Sequence, residues 1–73
     1  MSAGPREERG ARLRARREAA GLTRVQLAHR ANVGVDWLGR AERGEARIDD
    51  WDLPRLKRVL EREERSQRLI AAG

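Results

Sequence analysis

Small and apolar residues recur at helical spacing through the middle of the chain. Leu27, Ala28 and Ala31 fall at i, i+1, i+4, and Leu38 and Ala41 fall at i, i+3. Each set marks one face of a short helix. The break between them, Asn32-Val33-Gly34, has room only for a tight turn. Asn32 is the residue expected to enter the left-handed region there, because Asn tolerates positive φ better than other non-glycine residues. Two short helices across such a turn make a helix-turn-helix, whose second helix can enter the DNA major groove.

The flanking pattern predicts further helices. From about Arg6 the chain reads as helical up to Ala19 or Ala20, with Gly21 as the stop. Leu13 is its main apolar anchor, helped by Ala11, Ala15, Ala19 and Ala20, and Glu-Arg pairs such as Glu8 with Arg12 lace its solvated side. Thr23 with Gln26 three residues on forms a capping box, so the second helix is expected over Arg24 to Ala31. The third is expected over Val35 to about Arg43, weakly capped by Gly34 and closed by Gly44. A fourth, capped by Asp49 or Asp50 with Pro54 in its first turn, has an apolar face of Trp51, Leu53, Leu56, Val59 and Leu60. It is expected to continue to about Arg68, held by Glu61–Arg65 and Glu64–Arg68 pairs. This divides the chain into a flexible 1–5, a helix-turn-helix domain over 6–62 and a helical extension or tail over 63–73. No internal repeat or linker interrupts it.

Gly21-Leu22-Thr23, Leu27-Ala28, Ala31-Asn32-Val33 and Glu42-Arg43-Gly44 together resemble the Cro/C1-type (Xre-family) helix-turn-helix repressors. The resemblance spans about Gly10 to Leu60 and implies an all-α fold, a four- to five-helix lambda-repressor-like DNA-binding domain. Asn32 stands where the family usually has glycine, and Gly34 where it usually has a Ser or Thr cap. The resemblance also implies a structural salt bridge between Arg17 and Glu42, tying the first helix to the recognition helix; the alternative is a free surface Arg17. Elements after the fourth helix often make the dimer contact in this family, which suits the exposed Leu69 and Ile70 expected here.

On the third helix, Val35, Asp36, Gly39 and Arg40 form one outward stripe at i, i+1, i+4, i+5. These are the candidate base contacts. Arg40 can bind guanine O6 and N7, Asp36 can accept from cytosine N4, Val35 can touch a thymine methyl, and Gly39 permits close approach. Arg24 at a helix N-terminus, and Arg43 and Arg47 around the following loop, are the candidate phosphate contacts. Trp37 either packs against the sugar-phosphate backbone or rolls into the core beside helix four. The first is favoured, since the resembling family often has a hydroxyl-bearing residue there. His29 is the only histidine and, with no Cys in the chain, is a surface residue or a mild DNA contact, not a metal ligand.

Composition narrows the function. Only 38% of the 73 residues are hydrophobic, with no Phe or Tyr, so one small domain is expected and dimerisation is a source of extra stability. Seventeen basic against 12 acidic residues leave a formal charge of +5, which favours a polyanionic partner, most commonly nucleic acid. All but Lys57 of the basic residues are Arg, a skew that suits phosphate recognition but also follows from a GC-rich bacterial or phage genome. No apolar run is long enough to span a membrane and none reads as a leader, so a cytoplasmic, nucleoid-associated protein is expected. With no Cys or Tyr, one unsupported His, and no phosphate loop or paired-carboxylate cleft, an enzyme is not expected, nor is a cofactor, metal or small-molecule ligand. The reading is therefore a dimeric repressor that occupies double-stranded DNA. The alternative is a helix-turn-helix interaction module, antitoxin-like or an accessory subunit, favoured by Asp36 and Trp37 on the reading helix.

Overall fold

The computed structural model describes residues 4–72, with side chains through Ile70, as four helices. They are α1 (Pro5–Ala19), α2 (Arg24–Ala31), α3 (Val35–Glu42) and α4 (Leu53–Ala72), with no strand among the described residues. Of the segment expected to be flexible, Met1–Ala3 lies outside the described residues. Gly4 is the N-cap of α1 and Pro5 its first residue, where proline's missing N–H and fixed φ do no harm.

Helix ends follow from local chemistry. Thr23 accepts from the Gln26 N–H at 3.1 Å, and Gln26 accepts from the Thr23 N–H at 2.8 Å, so two orphan donors are satisfied at the start of α2. Its other end stops at Asn32, which has φ 58°. The Val33 N–H reaches back to the Ala28 carbonyl and the Asn32 N–H to that of His29, a Schellman closure. Gly21 at φ 74° and Gly44 at φ 79° close α1 and α3 in the same way. Left-handed residues thus close each of α1, α2 and α3.

The core consists of small and aliphatic side chains. Leu27, Leu38, Leu56 and Leu60 are its largest fully buried members, joined by Leu13, Leu22, Ala20, Ala28 and Ala31. Val33, Trp37, Ile48 and Val59 pack against it from the edge. On α1 the buried set is Gly10, Leu13 and Arg17, one face at i, i+3, i+7, while Ala11, Ala15 and Ala19 remain exposed. Gly10 is where α1 crosses the end of α3. A Cβ there would overlap the Ala41 carbonyl oxygen and lie 2.5 Å from that of Glu42.

The fourth helix departs most from expectation. It begins at Leu53, because the Asp52 and Leu53 N–H groups turn back to the Asp49 carbonyl and Leu56 is the first to bond Asp52. Trp51 therefore lies in the turn ahead of the helix and is 73% exposed instead of in the core; the Arg55 guanidinium sits over its ring, 5.0 Å from the centroid. The helix runs unbroken past residue 62, as expected, and ends at Ala72 instead of near Arg68. Its carboxylates do not make the expected i, i+4 pairs. Glu64 takes a bidentate pair from Arg16 of α1 at 2.8 and 3.0 Å, and Glu63 pairs with Arg30 of α2 at 3.0 Å. The Gln67 amide donates to the Ala20 carbonyl at 2.6 Å. Hydrogen bonding from Arg16 holds the Glu64 carboxyl below the usual glutamate range. No helix among the described residues is long and apolar enough to cross a membrane.

Candidate nucleic-acid interface

The two helices of the motif hold a polar groove lined by Arg24, Val35, Asp36, Gly39, Arg40 and Arg43, with a volume of about 250 Å³. Six of the sequence-predicted contacts therefore share one surface. Val35, Asp36 and Arg40 are exposed along α3. The Arg40 side chain makes no hydrogen bond or ion pair among the described residues, which leaves all five of its donors available. Asp36 sits in the first turn of α3, whose N-cap Gly34 offers no side-chain acceptor. A carboxylate there complements the helix dipole, giving Asp36 a local reason to be acidic.

Gly39 differs from its expected role. It is buried, because the side chains of Arg24 and Arg43 converge over it. A Cβ at this position would lie 3.4 Å from an Nη of each arginine. The glycine thus lies beneath two guanidinium groups at van der Waals distance, one from the start of α2 and one from the end of α3.

Behind the groove stands a buried ion pair. The Arg17 Nε and Nη2 donate to the two carboxylate oxygens of Glu42 at 2.6 and 3.0 Å, and its Nη1 donates to the Leu22 carbonyl at 2.9 Å. Both side chains are under a tenth exposed and no buried polar side-chain atom lacks a partner among the described residues. The hydrogen bond to Glu42 raises the Arg17 guanidinium above its ordinary value. Glu42 also lies 3.8 Å from the Arg24 Nε, so one carboxylate contacts both the arginine that anchors α1 and one that lines the groove. That second contact has no signature in the sequence.

The remaining candidates are placed otherwise. Arg43 is exposed and pairs with Glu45 at 3.0 and 3.3 Å. Hydrogen bonding raises the Arg43 guanidinium and lowers the Glu45 carboxyl. An exposed pair of this kind contributes little to stability, so a phosphate can take the place of Glu45. Arg47 lies outside the groove, 3.9 Å from Asp49, with both side chains largely exposed. Trp37, expected at the sugar-phosphate backbone, is half-buried and packs against the core instead, because position 37 turns toward the side of Leu38 and away from the Val35–Arg40 stripe. His29 is exposed, and no three His, Asp or Glu side chains among the described residues gather to hold a metal ion.

A family model described as a helix-turn-helix domain matches residues 8–69, most of the chain. No curated protein and no solved structure gives a significant match.

Proposed function

Because the chain belongs to the helix-turn-helix domain family, we propose that it is a sequence-specific DNA-binding transcriptional regulator of the Xre type, acting as a dimeric repressor in the bacterial or phage-infected cytoplasm. It works by occupancy alone, without catalysis or cofactor. The observation that carries this reading is the α3 groove: an unpaired Arg40 on the exposed stripe, flanked by Arg24 and Arg43 over Gly39. The division of labour follows from position. Arg40 projects from the middle of α3 and reads a base edge. Arg24 and Arg43, at helix ends, grip phosphates, with Arg47 further out along the same loop.

Selection from a random duplex library supplies the preferred site, and titrations across a salt series then separate the two roles. Arg40→Ala is expected to cost about 1–3 kcal/mol on that site and to relax preference at one position. Arg43→Ala should weaken preferred and scrambled duplexes alike and reduce the salt slope by about 1. Equal weakening of both duplexes by Arg40→Ala, or a changed base preference in Arg43→Ala, reverses the assignment.

Two-fold pairing through α4 would cover Leu69 and Ile70, which are 71% and 76% exposed. Such a dimer would space two reading helices about 34 Å apart, one turn of DNA. Sedimentation should give a dimer on the duplex, shifted toward monomer by Leu69→Glu/Ile70→Glu. A single protomer on the preferred site, for wild type and variant alike, rules the dimer out.

A further inference from the structure

A second groove, of about 400 Å³, lies between α1, the start of α4 and the loop before it. Its floor is apolar, built from Leu13, Ile48, Leu53 and Leu56. Its rim carries Arg9, Arg12 and Lys57, all exposed and none in an ion pair among the described residues. Arg16 also lines it but is committed to Glu64, and Asp50 is the one rim carboxylate. No residue is shared with the Arg24–Arg43 groove.

We propose that this groove docks an amphipathic helix of a partner protein, with the aliphatic face on the floor and flanking carboxylates on Arg9, Arg12 and Lys57. Charge and polarity together select the occupant. A nucleic-acid backbone would satisfy the cations yet leave the half-buried Ile48 and Leu53 wet above the already buried Leu13 and Leu56, whereas an apolar helix face covers them. The exposed end of α4 from a second copy would bring Leu69 and Ile70, but Arg65 and Arg68 stand beside them and would meet a positive rim. An acidic amphipathic helix meets both demands. Because the two grooves are separate, such a partner can bind while the α3 face is occupied.

The test uses two synthetic peptides of about 15 residues, long enough to hold a helix once docked. Both carry leucines at i, i+3, i+4, i+7; one has Glu and the other Lys at the flanking positions. Fluorescence anisotropy on the full chain should show the Glu peptide binding at least about tenfold more tightly. Arg12→Gln/Lys57→Gln should abolish that preference, and Leu53→Asp should weaken the Glu peptide by a similar factor. Thermal melts check that each variant is folded. Amide shifts on adding the Glu peptide should concentrate at Leu13, Ile48 and Leu53 and leave Arg40 unmoved. Equal binding of the two peptides, binding of neither, or shifts spread over the basic surface would each overturn the proposal. So would a loss of duplex binding in Arg12→Gln/Lys57→Gln as large as that in Arg43→Ala, since those cations would then hold phosphate.

Discussion

Arg17→Ala is expected to lower the unfolding free energy by about 3–5 kcal/mol, the range for removing one partner of a buried ion pair. The substitution leaves the Glu42 carboxylate buried without its bidentate donor, and the Leu22 carbonyl without its side-chain hydrogen bond. Arg24, at 3.8 Å and half exposed, is too distant and too solvated to replace it. A small domain has about 5 kcal/mol to lose, so the variant should keep at most about 2 kcal/mol of stability at room temperature. Urea unfolding followed by fluorescence of the half-buried Trp37 measures this directly. The double variant Arg17→Met/Glu42→Leu should recover most of the loss, because no charge is then left buried. A wild-type midpoint for Arg17→Ala would mean that the pair contributes no stability.

Gly10→Ala sets two effects against each other, and the crossing should win. Alanine gains about 1 kcal/mol over glycine inside an exposed helix. Here its methyl would meet the carbonyl oxygens of Ala41 and Glu42, which are backbone and cannot rotate away. Separating α1 from α3 costs about 3 kcal/mol, the upper end for overpacking a tight interface, and also lengthens the Arg17–Glu42 contact about two helical turns further on. The net loss is about 2 kcal/mol for alanine and larger for Gly10→Val, which adds bulk without comparable helix propensity. With roughly 4–8 °C per kcal/mol in a domain this size, the alanine variant should melt about 10 °C lower by circular dichroism. A melting temperature at or above wild type would show that the helices separate at little cost.

What could be read from the sequence was governed by neighbours along the chain. Thr23 and Gln26 announce a helix start by their spacing. Gly21, Asn32 and Gly44 mark stops because few residues accept positive φ. The helix-turn-helix over α2 and α3 follows from these and from apolar periodicity. What the pattern could not show was decided across the fold. The two tryptophans exchanged places, Trp51 going to solvent and Trp37 to the core edge, because α4 starts at Leu53 and leaves position 51 in a turn. Glu64 could be assigned Arg68 on its own helix, yet Arg16 of α1 lies close enough to supply a better-placed partner, and Glu63, with no arginine at i±3 or i±4, finds Arg30 of α2. Gly10 carries no signal at all, since a glycine in a helix is informative only once the crossing helix is known. Gly39 was placed on the correct face but assumed open, because the reach of Arg24 and Arg43 depends on where two helix ends meet.

The two motif helices are eight residues each, about two turns. Helices that short do not persist alone in water, so α3 exists only while α1 and α2 pack against it. Recognition is therefore all-or-none at the level of the single molecule, with no partly competent form between folded and unfolded. A substitution in the core reaches DNA by changing how many molecules can bind, while each one that does bind retains its full affinity.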